Sequence, residues 1–412
     1  MSEMEKKFYT DRGLEIPRPE AIPPLRANSI RNFDADVIRR DAAHTRILIH
    51  NGFLGLVDKF LAYKRQHGTT KEKQLYANMT VGKEIARLYR NRPLAFYNSS
   101  DTTKLRNGKM IPYATRLWDA VGTDSEGDIT LNEYLSYDEI MLSSFIGVSG
   151  PSTFINDGDR DNCAQPGVPG TFETRGIIIG LVGARFERIE HMDSNLILNR
   201  NDQSLQNKPS RQDPELTKIF LDFLEVRKQG GQFEVDVYIA RMKYPLSLLL
   251  LEAQSRAHLE SPSKKAYVYV VGLGLGVWQI NSKQADYYVQ AFCEVLREQG
   301  KDLSQIATIE LAWIQVDKGI RDQATAIAAE YGIKVKFSRR NPAAKLDRDE
   351  QDQLLVLSYA WDANAYPGNE YWMGSLNGSG DPAAAAMSTI AEIQNPESNP
   401  SIWRFFESFQ YP

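Results

Sequence analysis

Two stretches of this chain hold residue types that could act on a bound small molecule. The first runs from Asp362 to Asp381, immediately after Trp361. It carries three carboxylates, Asp362, Glu370 and Asp381, and three asparagines, Asn364, Asn369 and Asn377. Tyr366, Tyr371 and Trp372 are interleaved, with Gly368 and Gly380 among several glycines. Carboxylates bind sugar hydroxyls, orient a water or pair with a guanidinium. Carboxamides hold ribose or carbonyl groups, and aromatic faces stack on planar groups. The second stretch is Gly272 to Gln279, GLGLGVWQ. Gly272, Gly274 and Gly276, followed by Val277 and Trp278, allow a tight turn and close backbone approach. Free N–H groups ahead of a helix form an anion seat, for which a phosphate or diphosphate is the natural guest. A nicotinamide-type GxGxxG would need glycine where Val277 stands, and no P-loop lysine follows. Plainer roles stay open: a tight turn for the glycines, a solvated charge for Glu370, and a helix N-cap for Asp381 with Pro382 at the first helical position.

The surrounding elements alternate. Buried or alternating runs predict strands at 176–182, 233–240, 266–271, 306–314, 333–337 and 354–360. Helical spacing predicts helices at 245–259, 282–298, 318–331 and 381–393. Such alternation implies a layered α/β sheet with crossovers, and ligands in such sheets bind beyond the carboxyl ends of the strands. Both stretches follow a strand. Helical patterning dominates 51–92, with Leu54, Val57, Phe60 and Leu61 in one stripe. The expected division is a proline-marked flexible lead-in at 1–30, a helical and mixed region packing on the core at 31–212, and the sheet domain at 213–412. The polar run 199–214 is the best linker candidate.

Composition narrows the class. The chain has 412 residues, 42% hydrophobic and 25% charged, which is ordinary globular usage. With 49 basic and 53 acidic residues the net charge is −4, so a nucleic-acid partner is not expected. Two cysteines and five scattered histidines suggest neither a disulfide scaffold nor a metal site. No signal sequence or membrane-length apolar run is visible, and the expected compartment is the cytoplasm. Charge is uneven: Lys59–Arg116 carries 13 basic residues against 3 acidic ones, and Asp119–Glu139 carries 7 acids and no bases. These are either solvated faces or a docking surface. Gly122–Glu133 imitates a calcium loop but has glycine where the first carboxylate belongs.

Taken together, SYAWDANAYPGNEYW, SGDPAAAAMSTIAE and VYVVGLGLGVWQ resemble the two ligand loops of macrodomains, in permuted order. The closer resemblance, carried also by FIGVSGPSTFIND and GLVGARFE, is to the arginine-specific, MavL-like macrodomain family. It covers roughly residues 134–396. The resemblance implies a three-layer α/β/α macrodomain-like mixed sheet with an N-terminal mainly helical extension. It implies hydrolysis of ADP-ribose from arginine side chains of a protein, ubiquitin being the candidate substrate, with no cofactor. By position Asp362, Glu370 and Asp381 become the catalytic acids, one of them orienting a water toward C1″ of the distal ribose. Glu370 or Asp381 is favoured for the water and Asp362 for binding. Gly272, Gly274, Gly276, Val277, Trp278, Asn364, Gly368, Asn369 and Gly380 become ligand-binding residues. The alternatives are a non-catalytic ADP-ribose reader and an interaction protein acting through its charged N-terminal half.

Overall fold

The structure, a computed structural model, describes residues 2–97, 102–113, 115–199 and 210–409. Seven strands form one sheet: β1 (Arg46–Leu48), β5 (Gly147–Thr153), β6 (Arg175–Leu181), β7 (Ala266–Val271), β8 (Ile306–Ala312), β9 (Lys334–Ser338) and β10 (Leu354–Ala360). Their spatial order is β1-β5-β6-β10-β7-β8-β9. From β6 to β9 the pairs are parallel, whereas β1–β5 and β5–β6 are antiparallel. β10 is central and most of LLVLSYA is buried, which explains why it is apolar but for Ser358. Its neighbours pair in register, Leu357 beside Ile178 on one side and beside Tyr269 on the other. The exits of β6, β10 and β7 therefore lie side by side, and the Trp361 N–H donates to Leu181 O at 2.9 Å. A second, three-stranded sheet comprises β2 (Ala95–Tyr97), β3 (Thr102–Lys104) and β4 (Met110–Ile111). The mixed α/β architecture and the N-terminal helical stretch are as expected.

The expected strand at 233–240 is a correction. Residues from 235 belong to a helix, Val235–Glu260. Val237, Tyr238, Arg241 and Met242 are the first of its buried positions, a helical spacing that the coincident alternation of Val235, Val237 and Ile239 concealed. The helix expected at 245–259 therefore starts ten residues earlier, with Pro245 inside it. The expected last helix is two, Gly380–Met387 and Ile390–Ile393, separated by extended Ser388.

The proline-marked N-terminus is packed. Helix Glu3–Asp11 starts with a capping box between Ser2 and Glu5. Tyr9, Leu14 and Ile30 are buried against Ile393. Asn28 donates to Ala385 O and Ser388 O at 2.5 and 2.8 Å, so the segment braces the helix that follows the acidic loop. The sheet also draws strands from both sides of position 212. Most of the linker candidate lies outside the described residues; Asp213 caps helix Pro214–Phe223.

The two charge blocks pair with each other. Lys64 meets Asp138, Arg87 meets Glu139, Arg106 meets Glu133 and Lys109 meets Asp128. In the calcium-like loop, Glu126 Oε2 accepts the Gly122 and Leu131 N–H groups, a turn-holding use of that carboxylate. Part of the asymmetry seen along the sequence is thus neutralised within the fold.

Candidate active site

The glycine stretch leaves the carboxyl end of β7. Two turns close it, Leu275 N–H to Gly272 O and Gln279 N–H to Gly276 O, both 3.1 Å. Gln284 pins it by donating to Gly274 O and Trp278 O at 3.2 and 3.3 Å. Gly274 needs its residue type: φ is +73° and a Cβ would stand 3.0 Å from Ala184 O. At Gly276 a Cβ would meet nothing, so the backbone there is open to a ligand. Val277 is 88% exposed and Trp278 is buried. The following helix begins only at Gln284.

The acidic stretch leaves β10. Gly368 has φ +89° and a Cβ there would lie 2.7 Å from Ala385 Cβ, so glycine alone fits the turn against the helix Gly380–Met387. Asp381 sits in the first turn of that helix, but Ser379 is the N-cap. Its carboxylate instead crosses to the loop, accepting Gly368 N–H at 2.7 Å and Asn369 N–H at 3.0 Å. Gly380 opens the helix beside Ala360. Glu370 is half-buried and accepts the Ser379 hydroxyl at 2.8 Å. Asp362 Oδ2 accepts Asn369 Nδ2 at 2.6 Å.

The asparagines turn toward the protein. Asn364 Nδ2 donates to Phe96 O at 3.1 Å, and Asn369 Oδ1 accepts Phe96 N–H at 2.8 Å. Both latch β2 onto the acidic loop. Tyr97, next along β2, lies within the field of Glu370 and Asp362; burial, then these two acids, push its phenol up.

The acids influence one another. Burial pushes Asp362 up to about 7; Arg185 opposes this, Glu187 and Glu370 add to it, and the Asn369 bond opposes it. Burial and then Asp362 push Asp381 well above the usual carboxylate range, against the two amide donors. Burial also raises Glu370.

Arg185 joins the two stretches. It follows β6, is fully buried, and stacks 5.0 Å from the Trp278 ring centroid. Its Nη1 donates to Asp362 O, while Nη2 and Nε donate to Glu187 Oε1 at 2.6 and 3.1 Å. Gly183 lets this turn press on the glycine loop, since a Cβ would lie 2.5 Å from Leu273 C. Sequence reasoning missed Arg185, Glu187, Phe96 and Tyr97. The first two had a signal: charged residues directly after an apolar strand, where the α/β rule places ligands. Tyr97 had none.

Beyond β8 and β9 opens a cleft of about 740 Å³, lined among others by Lys283, Trp313, Asp317, Arg321 and Arg339. Trp313 is 57% exposed with φ +60°, a strained placement for an aromatic residue. The segment after the glycine loop runs into this cleft through Ser282 and Lys283. The acids that approach within metal-ligand reach among the described residues, Asp347, Asp349 and Glu350, precede β10 and are met by Lys334 and Lys336.

A parallel-centred α/β sheet, with a glycine turn and an acid-rich turn at adjacent strand exits, defines a macrodomain-like protein. The family described as ADP-ribosylhydrolase MavL-like matches residues 10–218 and 212–404, and the chain belongs to this family. It is 34% identical over 401 residues to ADP-ribosylarginine hydrolase CG3568 of Drosophila melanogaster, covering 89% of this chain and 77% of that one. It is 31% identical over 397 residues to ADP-ribosylarginine hydrolase CG2909 of the same organism, covering 88% and 78%.

Proposed function

We propose that this enzyme hydrolyses the bond between C1″ of ADP-ribose and a guanidinium nitrogen of a protein arginine. The carrying observation is Arg185, which ties Trp278 of the glycine turn to Asp362 of the acidic turn. The diphosphate lies along the open backbone at Gly276, and the nucleoside end extends toward Trp313 in the neighbouring cleft. The distal ribose sits over Asp362 and Glu370.

Asp381 spends both oxygens on the loop backbone, so its task is to fix the turn. Asn364 and Asn369 act in support, holding β2 and orienting Asp362. Glu370 keeps Oε1 clear of the Ser379 bond and orients the water. As the C1″–N bond breaks, its electron pair stays on nitrogen and the ribose becomes an oxocarbenium ion, stabilised by the carboxylates around it. Water adds to C1″ and gives a proton to Glu370. The released guanidine gains a proton from Asp362, whose raised pKa keeps it protonated below about 7. The sum is ADP-ribosyl-arginine plus water to ADP-ribose plus arginine.

A protein carrying ADP-ribosyl-arginine is the substrate, with ubiquitin the first to try, and the cytoplasm is the proposed compartment. Among the described residues no helix is long and apolar enough to cross a membrane. The test is release of free ADP-ribose from an arginine-modified protein, measured by chromatography. Release by the unaltered chain and its loss in Glu370→Gln support the reading. Tight ADP-ribose binding without release would make the chain a reader instead.

A further inference from the structure

One acid at the site has no task in the reaction just described. Glu187 lies in the turn after β6, with its side chain 10% exposed. Its Oε1 takes both bonds from Arg185. Its Oε2 is shut off from solvent and meets no donor among the described residues. A covered carboxylate oxygen without a donor is costly, and native folds keep few of them. The other acids are engaged differently: Asp381 through both oxygens, Asp362 Oδ2 by Asn369 and Glu370 Oε2 by Ser379.

The neighbours of Glu187 indicate what would satisfy it. Arg185 reaches from Glu187 to the Asp362 carbonyl, so the two acids share one wall. Among the charges acting on Asp362, Glu187 ranks after Arg185 and ahead of Glu370. The next residue, Arg188, is tied to Asp119 at 2.7 Å and to the Tyr137 hydroxyl at 3.0 Å, which carries this wall toward the N-terminal region. With the diphosphate on the glycine turn, the leaving group departs on the other side of C1″. That group is a planar, cationic fork of N–H donors, the partner a carboxylate accepts best.

We propose that entry of the substrate uncovers Glu187, whose Oε2 then accepts a leaving-group N–H from the guanidinium of the modified arginine and so sets the preference for arginine. This rests on the reading that the cleaved bond joins ribose to arginine. Glu187 touches only the half of the substrate that free ADP-ribose lacks. It therefore contributes to cleavage and not to product binding.

The experiment uses the full chain with ADP-ribosyl-agmatine as substrate and free ADP-ribose as the binding probe. Glu187→Gln retains an oxygen for Arg185 but loses the charge. Its kcat/KM is expected to fall roughly 10- to 100-fold, the scale of one charge-assisted hydrogen bond. Its Kd for ADP-ribose should stay within about twofold of the parent, the scatter expected of a residue that does not touch that ligand. Agmatine added with saturating ADP-ribose should protect the parent against thermal unfolding and leave Glu187→Gln unaffected. Glu187→Asp, with unchanged melting, should regain part of the rate. Parental kcat/KM in Glu187→Gln overturns the proposal. So does an equal loss of ADP-ribose affinity, which would mean that Glu187 acts only by holding Arg185. If the parent itself releases no ADP-ribose, the hydrolase reading fails first and this proposal falls with it.

Discussion

Asn369 donates from Nδ2 to Asp362 Oδ2 at 2.6 Å, and its own Oδ1 accepts the Phe96 N–H at 2.8 Å. The Phe96 amide therefore dictates which end of the carboxamide faces Asp362. A strand of the small N-terminal sheet thus orients an acid of the large one. The N-terminal region is part of the site's scaffold.

The Asn369 bond lowers the pKa of Asp362, while burial raises it to about 7. Activity should rise with pH as Glu370 ionises and fall as Asp362 loses its proton. Removing the donor in Asn369→Ala raises the Asp362 pKa further, so the descending limb should move to higher pH. The kcat of Asn369→Ala should fall about tenfold, the low end for a misplaced catalytic group. A pH–rate profile checks both; a descending limb moved to lower pH would contradict the assignment.

Gly368 combines φ +89° with a close approach to Ala385. Gly368→Ala should cost roughly 2–4 kcal/mol, backbone strain adding to overpacking. Denaturant unfolding measures it. ADP-ribose release should be lost even in the folded fraction, because Asp381 takes its donor from the Gly368 N–H.

Gly274 and Gly276 should separate stability from binding. Gly274→Ala meets positive φ and Ala184 O, and should destabilise by about 1–3 kcal/mol. Gly276→Ala meets no atom and should melt like the parent, yet its methyl group would stand where the proposed function puts the diphosphate. Its Kd for ADP-ribose should rise about tenfold, the cost of roughly 1.4 kcal/mol. Calorimetry with ADP-ribose decides.

Trp313 tests how far the ligand extends. Stacking of a base on an aromatic ring is worth about 1–3 kcal/mol. Trp313→Ala should weaken ADP-ribose by roughly 5- to 100-fold and leave ribose 5-phosphate unaffected. Equal weakening of both ligands would place Trp313 outside the nucleoside's path.

Much of this was legible in the sequence because the central strands are parallel and buried. β7 reads as an apolar run and β10 as one interrupted only by Ser358, both with their bounds intact, and the turns after them stood out by glycine and acid content. Local pattern could not carry what depends on distant partners. Asn364 and Asn369 looked like ligand residues, yet their carboxamides hold Phe96, some 270 positions away. Asp381 looked like a helix cap because Pro382 follows it, but its oxygens face another turn of the chain. The prolines at 17–24 looked like slack chain, yet that segment runs between buried Leu14 and Ile30.

Hydrogen–deuterium exchange of the full chain with and without ADP-ribose is the most direct test that one pocket serves both turns. Protection should appear together at 272–279 and at 362–381, with the same dependence on ligand concentration. Protection of one turn while the other exchanges unchanged at saturation would contradict a shared site.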